Sequence, residues 1–248
     1  TPRFIGLQEA EHLGMAVSTA GDFDGDGLDD FVMGSPDYDN PTDDEGAAYL
    51  MLGKNSAWIT EDVTNSYLTF LGSTIDDKTG RFVHSVGDIN GDDLGDIFIT
   101  AHNSDVHLSN AGIVYGILGG RETGTVDLMT EADFQIVGES TNDYLGRGTG
   151  KAGDVNGDGL DDIFAGSMGL SVKQDKRWGI DPYPHFLLLS NSQGKFEESC
   201  WSISNNGYPL LKRLAFEFIK LATYCCSFLK AIHEGSNPSI QMGISRHI

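Results

Sequence analysis

A nine-residue acidic loop occurs three times in this chain at a fixed spacing of 66 residues. The copies are DFDGDGLDD at 22–30 (loop 1), DINGDDLGD at 88–96 (loop 2) and DVNGDGLDD at 154–162 (loop 3). A repeat that keeps its register over this distance indicates one structural unit used several times, as in arrays and propellers. We therefore expect a repeat protein in which each unit carries one acidic loop.

Glycines and β-rich runs extend this repeat to a whole unit. Gly6, Gly72 and Gly138 follow the same spacing, as do Gly14, Gly80 and Gly146. Runs bounded by Gly, Asp and Asn predict short strands. The expected strands are 15–20, 30–34, 47–52 and 66–71 in the first unit, 81–86, 96–101, 113–118 and 134–137 in the second, and 147–152 and 162–166 in the third.

Four short strands per unit are typical of β-propeller blades. The predicted fold class is therefore all-β, a partial β-propeller of four-stranded blades with units at 7–72, 73–138 and from 139 to 170 onward. Phe4 and Ile5 match Phe70 and Leu71 one unit later. We therefore assign them to the outermost strand of a preceding or closing blade.

The acidic loops have the composition of a calcium site. Ca²⁺ takes roughly six to eight oxygen ligands at about 2.3–2.6 Å in a flexible cage. Side chains at loop positions 1, 3, 5 and 9 and the backbone carbonyl at position 7 can supply them, which predicts up to three calcium sites. The candidate metal ligands are Asp22, Asp24, Asp26, Leu28 and Asp30 in loop 1, Asp88, Asn90, Asp92, Leu94 and Asp96 in loop 2, and Asp154, Asn156, Asp158, Leu160 and Asp162 in loop 3.

The glycine pattern suits such a tight loop. Position 4 is Gly in every copy, and position 6 is Gly in loops 1 and 3, where positive φ angles are expected. Asp93 takes position 6 in loop 2, and aspartate tolerates left-handed geometry better than most residues. An EF-hand needs a bidentate Glu at position 12, but Met33, Ile99 and Ala165 occupy that position here. We therefore expect a strand–loop–strand site.

A plain polar turn is the alternative interpretation, since Asp, Asn and Gly all favour turns. Three copies in register argue against it. Two carboxylates about 4 Å apart also repel by roughly 4 kcal/mol at an effective dielectric constant near 20, a cost that a simple turn has no reason to carry.

With its acidic loop, the Leu-Gly or Thr-Gly pair before that loop, and Gly-Ser-Pro after the second strand, the repeat resembles the FG-GAP repeat of integrin α-subunit propellers and related bacterial surface proteins, over about residues 1–170. The FG position reads Leu13-Gly14, Thr79-Gly80 and Leu145-Gly146, and the GAP position is matched best by Gly34-Ser35-Pro36. The resemblance implies a seven-bladed propeller, calcium between the first two strands of a blade, and adhesive or ligand-binding roles outside the cell.

The number of units departs from that family. Two complete units, a third that begins and one extra strand cannot close a ring of typically four to eight blades. We therefore expect further blades or another chain to complete the propeller.

Charge and cysteine usage narrow the class of protein. Residues 1–170 hold 7 Lys and Arg against 31 Asp and Glu, a net charge of −24, whereas residues 171–248 carry +3. This negative charge repels nucleic acid and anionic membranes, so neither is expected as a partner. All three cysteines, Cys200, Cys225 and Cys226, follow the repeats, so disulfides are not expected to build the blades. Calcium could stabilise them instead where it is millimolar, which favours an extracellular or cell-surface location.

The last third of the chain, 171–248, loses the 66-residue register. A hairpin at 182–203 could supply the last strands of the third blade, and Leu210 to His233 has the pattern of an amphipathic helix. That helix could pack on its own protein, on a membrane surface or on a partner. The segment could also be frameshifted or read-through sequence. No run of about 18 uncharged apolar residues is present, so no transmembrane segment is expected.

Two functional classes remain open from the sequence. The first is a calcium-binding, non-catalytic module for adhesion to a protein or glycan ligand. The second is an accessory propeller of a secreted enzyme, such as a phospholipase or another hydrolase, whose catalytic domain lies elsewhere. No nucleophile elbow, zinc motif or phosphate loop occurs in the sequence, so the repeats themselves are not expected to be catalytic. The first class is favoured.

Overall fold

The computed structural model describes residues 2–40, 44–138, 140–155, 157 and 159–166, and the backbone of two strands at 185–189 and 197–201. Within these residues the secondary structure is almost entirely β. In chain order the strands are β1 (Phe4–Ile5), β2 (Val17–Gly21), β3 (Asp30–Ser35), β4 (Ala47–Met51), β5 (Glu61–Asp62), β6 (Leu68–Leu71), β7 (Val83–Gly87), β8 (Asp96–Ala101), β9 (Ile113–Ile117), β10 (Gly124–Asp127), β11 (Phe134–Val137), β12 (Gly148–Gly153), β13 (Asp162–Gly166), β14 (His185–Leu189) and β15 (Glu197–Trp201). A 3₁₀ turn at Val63–Asn65 and the short helix α1 (Leu128–Glu131) precede β6 and β11.

Each repeat forms one antiparallel sheet. The first blade has the strand order β2-β3-β4-β6, the second β7-β8-β9-β11 and the third β12-β13-β14-β15. The prediction of an all-β, propeller-like fold with four-stranded units is confirmed. Strands β14 and β15 pair antiparallel within the segment where a hairpin was expected, and they belong to the same compact unit as the preceding strands.

Strand positions follow the sequence pattern closely. The strands at 96–101, 134–137 and 162–166 have the bounds expected from the sequence. The first strands of blades one and two begin two residues later than expected. The cause is a turn: Met15 N–H donates to His12 C=O at 3.1 Å, and Arg81 N–H donates to Lys78 C=O at 3.1 Å. These backbone groups are therefore occupied before the ladder starts.

Two parallel pairings connect successive units. Strand β10, from the second repeat, lies parallel to β6 at the outer edge of the first blade. Strand β5, from the first repeat, lies parallel to β1 in the same way. Strand β1 therefore pairs with a strand of the first repeat in the same way as β6 pairs with a strand of the second repeat. This geometry agrees with the assignment of Phe4 and Ile5 to the outermost strand of a preceding blade.

The hydrophobic core lies mainly between blades. One cluster joins β2, β3 and β4 to the facing strands of the second blade, with Val32, Leu50, Val83 and Ile97 among its buried members. A second cluster packs Phe98 and Val114 of the second blade with Leu145 and Ile163 of the third. Because each blade buries its face against the next, the loops at the blade ends are held in fixed relative positions.

Some sequence predictions fall outside the described residues. The amphipathic helix at 210–233 and loop positions Asn156 and Asp158 belong to this group. Among the helices that the structure describes, none has the length and apolar character needed to cross a membrane.

Candidate metal centre

Each acidic loop joins the first and second strands of its blade. A register shift interrupts the ladder just before the loop, and a glycine with positive φ ends the first strand each time: Gly21 at 68°, Gly87 at 79° and Gly153 at 77°. A residue without a side chain accommodates this bulge. The bulge is the local feature that turns the chain out of the sheet and into the loop.

Position 9 of the loop is a structural anchor. Asp30 accepts a hydrogen bond from Phe23 N–H at 2.8 Å, and its other oxygen accepts one from Gly53 N–H at 2.7 Å. Asp96 repeats both bonds one unit later, to Ile89 N–H at 2.8 Å and Gly119 N–H at 2.9 Å. The carboxylate thus ties position 2 of the loop to the end of the third strand.

The position 9 carboxylates are buried, and burial changes the acidity of Asp30 and Asp96. Burial raises the pKa of Asp96 to about 7, although hydrogen bonds from Ile89 and Gly119 act in the opposite direction. Burial also raises the pKa of Asp30. A nearby cation would favour the ionised form of either group. These aspartates are therefore the loop residues whose charge depends most on a positive partner.

Position 1 closes the loop. Its Oδ2 accepts a hydrogen bond from the N–H at position 6 in every copy: Gly27 to Asp22 at 2.9 Å, Asp93 to Asp88 at 2.8 Å, and Gly159 to Asp154 at 3.0 Å.

The expected left-handed residues are confirmed. Gly25, Gly91 and Gly157 at position 4 have φ of 80°, 81° and 79°. At position 6, Asp93 has φ of 67°, beside 89° for Gly27 and 92° for Gly159. Loop 2 therefore has the same backbone path as the two copies with glycine at this position.

Loop 1 brings three carboxylates together. One oxygen from each of Asp22, Asp24 and Asp30 lies within 4.8 Å of the others. The Oδ1 atom of Asp22 is shielded from solvent and accepts no hydrogen bond. An inward, unpaired carboxylate oxygen beside two further carboxylates matches the ligands that hard divalent cations prefer. The residues present therefore fit such a cation.

The other two candidates in loop 1 lie outside that group of three. Asp26 uses its Oδ1 to accept a hydrogen bond from Leu28 N–H at 2.8 Å. The Leu28 side chain is half-buried, and its Cβ lies near Gly53.

Loop 2 holds its polar side chains in contact with one another. Asn90 donates from Nδ2 to Asp92 Oδ2 at 2.9 Å, and Asp92 Oδ1 accepts from Leu94 N–H at 3.0 Å. Asp88 Oδ1 accepts from Gly91 N–H at 2.6 Å. The carboxylates of loop 2 therefore accept hydrogen bonds from loop amides. Among the described residues, only loop 1 brings three carboxylates close to one another.

Loop 3 shares the closing and anchoring bonds. Asp162 accepts from Val155 N–H at 2.7 Å, and Asp154 Oδ1 accepts from Gly157 N–H at 2.6 Å. Leu160 is half-buried. The described part of this loop therefore resembles loop 2 more than loop 1, because Asp22 Oδ1 in loop 1 accepts no hydrogen bond.

A second set of repeated acids escaped the sequence analysis. Glu11, Asp77 and Asp143 are buried, and they too are 66 residues apart. They lie in the segments that lead into the first strand of each blade, three residues before Gly14, Gly80 and Gly146. Burial raises the pKa of Asp77 to about 6. The same period would have revealed them, had it been searched for acids outside the loops.

A cavity of about 390 Å³ lies beside the first blade and is lined in part by Gly53, whose N–H donates to Asp30. Lys54 and Glu61 in its lining form an ion pair, and the Lys54 ammonium lies 3.9 Å from the Trp58 ring centre. Its charged groups are therefore engaged with one another, and loop 1 remains the stronger candidate site.

Comparison with known proteins agrees with this geometry. The family model for the FG-GAP repeat matches residues 13–51, which include loop 1 and strands β2 to β4. Integrin alpha-V of Gallus gallus is 32% identical over 219 residues, covering 80% of this chain and 19% of that protein.

Invertebrate relatives give the same result. Integrin alpha-PS2 of Drosophila melanogaster is 33% identical over 108 residues, which are 39% of this chain and 7% of that protein. Integrin alpha pat-2 of Caenorhabditis elegans is 29% identical over 179 residues, which are 65% of this chain and 13% of that protein. The chain thus spans less than a fifth of the length of each of these relatives.

Proposed function

The chain belongs to the integrin α-like FG-GAP repeat family, and from that premise we propose that its repeats form a calcium-binding module for adhesion or ligand binding. The observation that supports this proposal most directly is in loop 1. There the carboxylates of Asp22, Asp24 and Asp30 converge within 4.8 Å, and Asp22 Oδ1 is buried without a hydrogen-bond donor.

The proposed ligands are the side chains at positions 1, 3, 5 and 9 and the carbonyl at position 7 of each loop. When bound, calcium would neutralise the clustered carboxylates. Residues of the chain position the loop: Asp30 accepts a hydrogen bond from Gly53 N–H, and Asp22 closes the loop by accepting one from Gly27 N–H. These hydrogen bonds between carboxylates and backbone amides hold the backbone of the loop in place.

A non-catalytic role at the cell surface is the second part of the proposal. The relatives named above are integrin α chains, and this chain matches only part of each. We therefore assign the module to an extracellular or cell-surface protein whose ligand is a protein or glycan. The strongly acidic repeats suit a partner with a basic contact surface, because net charge steers association.

Further blades, from the same polypeptide or from another chain, complete the proposed propeller. Two exposed hydrophobic side chains support this part: Val17 at the start of β2 is 61% exposed, and Met15, two residues before it, is 49% exposed. Strand β1 supports it too, because it pairs with β5 as a fourth strand would. A blade of the same type would cover both features.

Isothermal titration with calcium tests the proposed function. The wild-type chain should bind up to three ions, and Asp24→Asn should weaken binding at loop 1. Asp29→Asn is the matched control: Asp29 is an exposed aspartate in the same loop, at position 8, which is outside the ligand set. Equal effects of the two substitutions, or no heat of binding to the wild type, would exclude calcium coordination by these loops.

A further inference from the structure

The peptide group between Leu94 and Gly95 joins loop 2 to loop 1. Gly95 N–H, at position 8 of loop 2, donates to the backbone carbonyl of Asp22, at position 1 of loop 1, at 2.9 Å. One unit later, Asp161 N–H donates to the carbonyl of Asp88 at 3.3 Å. Position 8 of each loop is thus hydrogen-bonded to position 1 of the loop before it, and this relation occurs at both blade junctions.

A side-chain contact repeats at the same two junctions. The Cδ2 atom of Leu94 lies 3.2 Å from where a Cβ on Gly25 would be, and Leu160 Cδ2 lies 3.0 Å from the same point on Gly91. Both glycines hold position 4 of the preceding loop. The leucine whose carbonyl is a proposed ligand in its own loop therefore packs its side chain on the neighbouring loop.

The backbones at the first junction are also in close contact. A Cβ on Gly95 would lie 2.0 Å from the carbonyl oxygen of Ala20 and 3.0 Å from Gly21 Cα. Movement of loop 2 at this point therefore requires movement of the chain that leads into loop 1.

From these contacts we propose that the calcium sites of adjacent blades are energetically coupled, so that an ion in one loop raises the affinity of the loop before it. The inference rests on the proposed calcium binding. The Leu94 carbonyl, a proposed ligand of loop 2, belongs to the same planar peptide as the Gly95 N–H that donates to Asp22, and in a trans peptide the two groups point in opposite directions. A cation at the carbonyl polarises the peptide and strengthens its N–H as a donor, as hydrogen-bonded chains polarise one another.

Coupling between binding sites is reciprocal. Calcium in loop 1 would hold Asp22 in place, and the Asp22 carbonyl would then hold the Leu94–Gly95 peptide in the position that ligation in loop 2 requires. The same argument links loop 3 to loop 2 through Asp161 and Asp88. The loops therefore act as a series in which each member affects its immediate neighbours.

Calcium titration of the full chain, followed by the amide NMR signals of Gly25 and Gly91, tests this coupling. Asp92→Asn weakens loop 2 directly, and it should lower the calcium affinity reported by Gly25 in loop 1 by about fivefold or more, the lower end of typical coupling between sites. Asp158→Asn, the matched substitution in loop 3, should lower the affinity reported by Gly91 and change that reported by Gly25 less.

The possible failures are distinguishable. If Gly25 reports the same affinity in wild type and Asp92→Asn while the chain still binds calcium, the coupling is wrong and the proposed function stands. If the wild-type chain binds no calcium, both are wrong.

A second pair of variants keeps the test valid if Asp92→Asn disturbs the second blade. Leu94→Ala leaves every ligand of loop 1 in place but removes the contact between Leu94 and Gly25. Because that contact links the two loops, its loss should lower the calcium affinity of loop 1. Leu28→Ala removes the equivalent side chain from loop 1, whose Cβ lies beside Gly53 as that of Leu94 lies beside Gly119. Leu28→Ala keeps the contacts described above between loops 1 and 2, so its effect on the calcium affinity of loop 2 should be smaller than the effect of Leu94→Ala on that of loop 1. Equal remote effects of the two variants would overturn the coupling.

Discussion

Val83 and Val17 occupy the same position in successive repeats, yet Val83 is 3% exposed and Val17 is 61% exposed. The difference comes from the neighbouring blade. Strand β7 packs against β2, the first strand of the preceding blade, and Ser85 N–H donates to Ser18 Oγ at 2.9 Å. Among the described residues, no first strand of a preceding blade packs against β2 in the same way. The face that carries Val17 is therefore exposed in the first blade, whereas the equivalent face of the second blade is buried against the first.

Substituting both valines with aspartate should separate these two environments. Val83→Asp buries an unpaired charge between blades, and we expect a loss of at least about 3 kcal/mol in the free energy of unfolding. Val17→Asp should cost less than about 1 kcal/mol, because the side chain stays in solvent. Denaturant unfolding of both variants measures the difference. Similar losses would show that the face of β2 is covered in solution.

Close approach of two backbones predicts a large effect at Gly95. Gly95→Ala would place its Cβ 2.0 Å from the Ala20 carbonyl oxygen, which cannot move without shifting β2. We expect a loss of about 2 kcal/mol or more, as for overpacking in a tight interior. Gly148→Ala is the control, since a Cβ there meets no atom within 4 Å. Thermal melting should distinguish the two variants, and equal melting temperatures would contradict the contact between β2 and loop 2.

The buried carboxyl of Asp77 predicts a pH dependence of stability. Burial raises its pKa from 3.8 to about 6 in the folded chain. The folded state therefore binds a proton more tightly than the unfolded state does, and stability from this group falls as pH rises from about 4 to about 6. The loss is at most about 3 kcal/mol, the equivalent of a shift of roughly two pH units.

Asp77→Asn isolates this effect. The variant should lose less stability than wild type between about pH 4.5 and pH 6.5, as measured by urea unfolding in the presence of a chelator. The buried His102, whose pKa burial lowers to about 4, stabilises the fold with rising pH, but it is present in both proteins and cancels in the comparison. Parallel pH curves for the two proteins would contradict the burial of an ionisable carboxyl at this position.

The period made the blades predictable from sequence. The first two strands of the unit could be located three times and the other two strands twice, and the strands at 96–101 and 162–166 have the predicted bounds. The left-handed Asp93 was predictable for the same reason, because glycine occupies its position in the other two loops. Periodicity is informative here because the same local physics operates in each unit.

Contacts between repeats could not be predicted in this way. The pairing of β10 with β6 depends on how two blades sit side by side, and the GTVD segment of β10 carries no strong strand pattern. The role of Asp30 as an anchor depends on Gly53, which is 23 residues away in sequence. The buried acids Glu11, Asp77 and Asp143 are a different case, since the period itself identifies them and only their burial required the structure.

Thermal melting of the full chain with excess calcium and with chelator tests the calcium account most directly. One loop filled to about 100 times its dissociation constant adds roughly 2.7 kcal/mol to stability. For a chain of this size that corresponds to an increase in melting temperature of at least about 5 °C, since each kcal/mol shifts the midpoint by roughly 2–4 °C. Asp24→Asn should reduce the increase, and Asp29→Asn should preserve it. An identical melting temperature for the wild type in calcium and in chelator would contradict the assignment of these loops as calcium sites.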